Sequence, residues 1–196
     1  MPPQLTLDPA RTAVLSMDLQ AAVVGIYAKD QEAALLARVA GVLARARTRG
    51  IRVIHLQVGF RPNLPEVSSR NTLLAAIKGS TKHQQLFQGA AGAIHPAIAP
   101  HVDDIVIVKH RVSAFIGTDL EMILRANDTD TLVLFGIATS GVVLSTLLEA
   151  ADRDYRLVVI KDCCADLDPD LQACLINKLF PRQATVVSAE EFLAVT

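Results

Sequence analysis

The 196-residue sequence contains no tryptophan, and aromatic residues make up only 4% of it. Its apolar content is nevertheless 51%, so valine, isoleucine, leucine and alanine supply most of the apolar bulk. Aliphatic runs of this kind are typical of strands that are buried between two layers of helices. The chain is long enough to form one large core, and we predict a single domain over residues 1–196.

The sequence also lacks an excess of charge of either sign. Its formal net charge is −1, so we expect no basic surface for nucleic acid. No apolar run reaches the roughly 18–20 residues needed to span a bilayer, and the N-terminus does not follow the pattern of a secretory signal. We therefore expect a cytoplasmic protein without a membrane partner. Basic residues cluster only near one predicted helix end, where they would stabilise the helix dipole: Arg45, Arg47, Arg49 and Arg52.

Cysteine and histidine are few, and their spacing does not suit a metal site. The three cysteines (Cys163, Cys164 and Cys174) form an odd set without C-x-x-C spacing, which favours a reduced, intracellular protein. The five histidines form no H-x-H or H-x-x-x-H pair. We predict neither a metal nor any other cofactor.

Strand-like and helix-like segments alternate along the chain. Strands are predicted over residues 13–17, 51–58, 104–109, 131–135, 156–161 and 184–187. Helices are predicted over 31–49, 140–153 and 168–179, with capping boxes at Thr118/Glu121 and Ser188/Glu191 that begin two more. Residues 71–100 are interrupted by glycine and proline, and we interpret them as an excursion near the site. The alternation predicts an α/β fold in three layers, a doubly wound, mainly parallel sheet with helices on both faces.

Ligands of open parallel sheets bind beyond the carboxyl ends of the strands. Asp18 follows the first predicted strand, Lys109 ends the third, and the turn at 136–140 follows the fourth. A nearby lysine favours the ionised form of an aspartate, whereas burial favours its neutral form. The balance decides whether Asp18 acts as a base or as an acid near neutral pH.

Residues 136–155, GIATSGVVLSTLLEAADRDY, resemble the isochorismatase-like hydrolases. Many members of that superfamily carry a G-[VI]-x-T-x-x-C-V turn in which the cysteine is the nucleophile, and Val142 takes its place here. The resemblance extends to Asp18 and Gln20 in LSMDLQ, to Lys109 in VIVKHRVSAF, and to the later KDCCADLDPD. It covers nearly the whole chain.

The resemblance implies a hydrolase whose chemistry rests on Asp18 and Lys109. A valine has neither a proton to lose nor a lone pair, so Val142 excludes a covalent route at that position. Isochorismatases lack the cysteine but keep the acid and the lysine. In them an acid protonates a vinyl ether, and water attacks the resulting oxocarbenium carbon. Asp18 would be that acid, Lys109 its electrostatic partner and Gln20 a hydrogen-bond partner of the substrate. Isochorismatases have glycine where Val142 stands, which argues against isochorismate itself as the substrate.

The resemblance also implies a homo-oligomer and a set of further substrate contacts. Phe115 belongs either to the pocket or to the core. The substrate-contacting residues of the turn would be Ile137, Ala138, Thr139 and Gly141. The superfamily often has a cis peptide bond in this turn, which here would join Ile137 to Ala138.

Three functions stay open at this point. The first is a cofactor-independent hydrolase of a small organic substrate that uses Asp18 and Lys109. The second is a catalytically silent relative that binds a small molecule or a partner at the same pocket. The third is a conventional cysteine amidase. It ranks last because Cys163 and Cys164 are more typical of small buried apolar residues than of nucleophiles.

Overall fold

A six-stranded, all-parallel sheet forms the centre of the computed structural model, which describes residues 6–195. The strand order is β3-β2-β1-β4-β5-β6, so the chain reverses its direction of travel between β1 and β4. In sheets of this kind the reversal opens a crevice at the carboxyl ends of the two central strands. The strands are β1 (Thr12–Met17), β2 (Arg52–Val58), β3 (Ile105–Lys109), β4 (Thr131–Gly136), β5 (Arg156–Ile160) and β6 (Thr185–Val187).

Helices cover both faces of the sheet, which confirms the predicted α/β class. They are α1 (Ala21–Tyr27), α2 (Glu32–Thr48), α3 (Thr72–Lys78), α4 (Thr81–Gln85), α5 (Gly89–Gly92), α6 (Leu120–Ala126), α7 (Leu144–Ala151), α8 (Pro169–Cys174) and α9 (Ala189–Val195). Helices α2 and α9 pack against each other on one face. Right-handed crossovers place α6 and α7 on the other. Within residues 6–195, no helix is long and apolar enough to cross a bilayer.

The two central strands are buried along their whole length. Every residue of β1 and of β4 is shielded from solvent, as expected for strands with helices above and below them. Their aliphatic side chains belong to one continuous core that reaches from β3 to α9. A small separate cluster of Leu64, Val67 and Leu74 lies in the excursion between β2 and β3.

One helix was missed by the sequence prediction. Helix α1, AAVVGIY, follows β1 almost directly, because Asp18 adopts a left-handed backbone conformation with φ of 55° that turns the chain. Seven residues are too few for a clear helical periodicity, and the internal Gly25 weakens the helical signal further.

The two predicted capping boxes had different outcomes. Ser188 and Glu191 form one at the start of α9, with reciprocal bonds of 3.1 and 2.6 Å. The box at Thr118 is absent, since the Thr118 hydroxyl accepts from the Leu120 N–H and donates to the Ala114 carbonyl. Helix α6 therefore begins one residue later than a capping box at Thr118 implies, with Asp119 as its N-cap and Leu120 as its first residue.

Candidate active site

Asp18 lies in the crevice at the carboxyl end of β1. Its backbone N–H donates to the carbonyl of Leu56 at 2.9 Å, which ties the residue to β2. Its Oδ2 lies 2.8 Å from Nζ of Lys109, and the two side chains are only 9% and 1% exposed, respectively. The acid and the lysine that the sequence placed at this edge therefore form one buried ion pair.

Lys109 is held firmly in place. It is the last residue of β3, and its Nζ also donates to the carbonyls of Arg111 at 3.0 Å and Val112 at 3.1 Å. With the bond to Asp18, all three donors of the ammonium group are occupied. Lys109 is thereby suited to orient a carboxylate and to stabilise its charge.

The electrostatic balance at Asp18 raises the pKa of its carboxyl group. Burial raises the pKa of Asp18, and the charge and hydrogen bond of Lys109 lower it by a smaller amount. The resulting pKa is about 6. Oδ1 of Asp18 is buried and has no hydrogen-bond partner among the described residues. The carboxyl group can therefore hold or release a proton close to neutral pH.

The turn after β4 forms the opposite wall of the crevice. Gly136 has a φ of 148°, and a Cβ at this position would lie 2.1 Å from the Met17 carbonyl oxygen, so only glycine lets β1 and β4 approach this closely. The peptide bond between Ile137 and Ala138 is cis. A π-type turn over Thr139–Val143 then leads into α7.

A cavity of about 170 Å³ lies between Asp18 and this turn. That volume is below the range of about 300–1,000 Å³ found for drug-sized ligands, so it suits a small molecule. Five lining residues carry polar side chains: Asp18, Lys109, Tyr27, His110 and Arg111. The others are apolar or glycine, namely Val23, Val58, Leu73, Leu74, Ile77, Phe87, Val112, Ile137, Ala138, Gly141 and Val142.

The fold agrees with that of known proteins that the chain resembles. A family model of the isochorismatase domain matches residues 12–191. The chain belongs to the isochorismatase family. Among its relatives, isochorismatase family protein YecD of Escherichia coli O157:H7 is 32% identical over 191 residues, which cover 96% of this chain and 98% of that protein. Ureidoacrylate amidohydrolase RutB of Agrobacterium fabrum is 31% identical over 209 residues, covering 97% and 88% of the two chains.

Solved structures of the isochorismatase family show the same fold. An isochorismatase family protein from Burkholderia thailandensis superposes with a TM-score of 0.83 at 28% identity and covers 97% of both chains. N-carbamoylsarcosine amidase from Thermoplasma acidophilum superposes with a TM-score of 0.71 at 25% identity, covering 92% of this chain and 97% of that one.

Six of the residues that the isochorismatase resemblance predicted line the cavity, and three do not. Gln20 is one of the three: it is fully buried, and its amide donates to the carbonyls of Val58 and Gly92 and accepts from the Val58 N–H. The side chain joins β2 to α5, and its role as a hydrogen-bond partner of the substrate stays a prediction.

Phe115 and Thr139 also lie outside the cavity. Phe115 is 5% exposed, stacks with Tyr155 at a centroid distance of 6.1 Å, and belongs to the core. Thr139 is fully buried, and its N–H donates to the Ala165 carbonyl at 3.0 Å. Neither side chain lines the cavity.

One wall of the cavity is formed by segments in which the sequence shows no motif of the isochorismatase family. Tyr27 belongs to the missed helix α1, whereas Leu73, Ile77 and Phe87 belong to the excursion between β2 and β3. The interruption of residues 71–100 by glycine and proline was the only available signal, and it could not single out these side chains.

A larger cavity of about 410 Å³ lies beyond β5, but three of its four charged side chains, those of Arg38, Asp162 and Asp166, already have partners. Arg38 donates to the Asp162 carbonyl at 2.8 Å, Asp162 accepts from the Ala189 N–H, and Asp166 accepts from the Ser140 N–H. No group in this cavity resembles the poised carboxyl group of Asp18. We therefore assign the candidate site to the smaller cavity.

The cysteines are poorly placed to act as nucleophiles. Burial raises the pKa of Cys163, and it raises the pKa of Cys164 to about 12, so neither thiol ionises near neutral pH. Cys174 is exposed at the end of α8. These positions argue against a conventional cysteine amidase.

Proposed function

We propose that this isochorismatase-family hydrolase acts on a small organic substrate with Asp18 as the acid–base group and Lys109 as its electrostatic partner. One observation carries the proposal: a buried carboxyl group with a pKa of about 6 is fixed by Lys109 at 2.8 Å beside a small cavity. A catalytic acid works best when its pKa lies near the working pH, and burial brings Asp18 into that range.

The geometry assigns different roles to the two oxygens of Asp18. Lys109 occupies Oδ2, so Oδ1 is the oxygen left to carry the proton. Unpartnered buried polar atoms are rare in proteins, and a substrate or water molecule would supply the missing partner. Protonated Asp18 would give its proton to the substrate, and the resulting carboxylate would be stabilised by Lys109.

Water is the nucleophile in this proposal. Val142 lines the cavity with a hydrocarbon side chain that cannot attack a carbonyl carbon or an oxocarbenium carbon. With a vinyl ether, Asp18 would protonate the double bond, water would add to the oxocarbenium carbon, and the Asp18 carboxylate would accept the proton released by that water. The resulting hemiketal would then break its other C–O bond, with the hydroxyl proton passing to the departing oxygen, to give a carbonyl compound and an alcohol. The proton balance closes without a covalent enzyme intermediate.

The names of relatives widen the set of bonds that should be tested. Besides ureidoacrylate amidohydrolase, they include maleamate amidohydrolase of Pseudomonas putida, which is 27% identical over 166 residues and covers 85% of this chain. Both names describe the hydrolysis of an amide or ureido bond. Amides and carbamoyl compounds therefore belong in a substrate screen beside vinyl ethers.

The screen should compare the wild type with Asp18→Asn and with Asp103→Asn, an exposed aspartate near the opposite edge of the sheet. We expect Asp18→Asn to lose about 100-fold or more of the activity, the usual contribution of general acid catalysis, and Asp103→Asn to match the wild type. Circular dichroism of each variant verifies that the fold is retained.

The pH dependence tests the direction of proton transfer. If protonated Asp18 is required, the wild-type rate falls as the pH rises through about 6. A rate that rises through the same pH would instead make Asp18 a base. Full activity in Asp18→Asn would refute the proposal, and ligand binding without turnover across the panel would favour a catalytically silent relative.

A further inference from the structure

The cavity contains a second cation that no carboxylate neutralises. The charge of Lys109 is matched by Asp18, and its donors are all occupied. Arg111 also lines the cavity, two residues further along the chain. Its Nη1 donates to the His110 carbonyl at 2.6 Å and its Nη2 to the Glu66 carbonyl at 2.9 Å. Both acceptors are neutral, so the guanidinium group is positioned without being paired.

The side chain of Glu66, the acid nearest to these contacts, is directed elsewhere. Its Oε1 accepts from the Arg61 N–H at 2.8 Å and lies 3.7 Å from Nδ1 of His110. Among residues 6–195, Arg111 takes part in no ion pair with this or any other carboxylate. A positive charge at the wall of a mostly apolar cavity thus lacks an anion.

We propose that Arg111 binds a carboxylate group of the substrate, so that the site selects small organic anions. A guanidinium group offers parallel N–H donors that match the two oxygens of a carboxylate, and two of its nitrogens are already anchored here. The attraction is stronger beside apolar walls than in water, because the local dielectric constant is lower. Leu74, Ile77 and Phe87 provide such walls.

This inference rests on the proposed function only in placing the substrate in the same cavity. It assigns the two charged groups different tasks. Arg111 holds the anionic end of the molecule, and the Asp18–Lys109 pair faces the bond that reacts. The substrate class that follows is a short carboxylic acid with a second polar or unsaturated group within a few bonds of the carboxylate.

Binding of a matched pair of compounds tests the assignment without requiring turnover. Succinamate and succinamide share one skeleton and differ in that an amide replaces the carboxylate. Calorimetric titration of the wild type should show succinamate binding about tenfold or more tighter than succinamide, the scale expected for a charge-assisted bidentate contact. Arg111→Gln should reduce that preference to near unity, and Arg111→Lys should keep part of it.

Arg182→Gln, which changes an exposed arginine of the last 3₁₀ turn, is the matched control and should behave as the wild type. Equal affinity for the two compounds in the wild type, no measurable binding of succinamate at millimolar concentrations, or an unchanged preference in Arg111→Gln would each overturn the inference. The outcome is separable from the proposed function. A preference that depends on Arg111 without hydrolysis of any compound defeats the hydrolase proposal alone, whereas hydrolysis of uncharged substrates without such a preference defeats only the inference.

Discussion

Asp18 and Asp104 lie at opposite edges of the same sheet, and each is buried beside a basic side chain. Asp18 follows β1 and lies 2.8 Å from Nζ of Lys109. Asp104 precedes β3 and lies 2.6 Å from Nη2 of Arg47. Similar residues in similarly buried settings therefore allow the effect of their remaining contacts to be compared directly.

The two carboxylates differ in how many hydrogen bonds they accept. Asp104 accepts two bonds from Arg47 and one from the His101 N–H, and it also lies 3.3 Å from Nε2 of His55. Asp18 has Lys109 as its side-chain partner, and its Oδ1 has none. One carboxylate is fully used in holding the structure, whereas the other keeps a free oxygen.

The pKa values of the two carboxyl groups shift in opposite directions. Burial raises the pKa of both groups, but at Asp104 the bonds from Arg47 and His101 outweigh it, and the pKa falls below its usual range. At Asp18 the burial effect prevails, and the pKa rises to about 6. An ion pair by itself does not mark a catalytic group, and the number of hydrogen bonds that stabilise the charged form separates the two cases.

The largest effect should come from removing the charge of the structural aspartate. Asp104→Asn leaves Arg47 without its anion and places an amide where three donors converge, so we expect a loss of about 3 kcal/mol in the free energy of unfolding. Urea denaturation at pH 7 measures it, with Asp103→Asn as the exposed control. A loss no greater than that of the control would remove the distinction between the two sites.

The pH dependence of stability should have opposite signs at the two sites. Because the folded pKa of Asp18 is raised to about 6, its stabilising contribution is complete below the unfolded pKa near 4 and is lost as the pH rises through 6. The folded pKa of Asp104 is lowered, so its contribution is present above the unfolded pKa and is lost as the pH falls through the folded value.

The stability of the wild type relative to Asp18→Asn should therefore fall by on the order of 2 kcal/mol between pH 4 and pH 7. Carbon-13 titration of labelled aspartate carboxyl groups provides an independent measurement, with Asp18→Asn used to assign the signal. Two buried carboxyl groups that titrate together near pH 4 would contradict the comparison.

The smallest change in stability should accompany Val142→Cys, because the two side chains are close in size; we expect less than about 1 kcal/mol. The new thiol would line the same cavity as Asp18, a carboxylate able to accept its proton. We predict faster alkylation by iodoacetamide at position 142 than at the buried Cys163 and Cys164, followed by peptide mass spectrometry. Equal resistance at all three positions would show that Asp18 does not activate a neighbouring group.

The sequence predicted the sheet and the meeting of Asp18 and Lys109 at the carboxyl ends of the strands. These succeeded because aliphatic strands are recognisable over a few residues, and because parallel strands bring their carboxyl ends to one edge. Gln20 was assigned to the substrate by the resemblance that also covers Asp18. The sequence did not show that its amide bonds backbone groups of residues far away in the chain.

Arg47 shows the same limit at the other edge of the sheet. Its position near the end of α2 predicted an interaction with the helix dipole, but its side chain reaches Asp104, 57 residues away. Helix α1 and the wall formed by Leu73 and Phe87 escaped prediction because short segments carry little periodicity.

The amino-acid sequence by itself therefore determined the fold, the edge of the sheet at which Asp18 and Lys109 meet and the absence of a nucleophilic side chain at position 142. Only the tertiary structure decided the acidity of Asp18 and the unpaired state of Arg111. The physical reason is that burial and hydrogen bonding are sums over neighbours. Those neighbours come from β1, β3, α1, α3 and the turn after β4, and only folding brings them together.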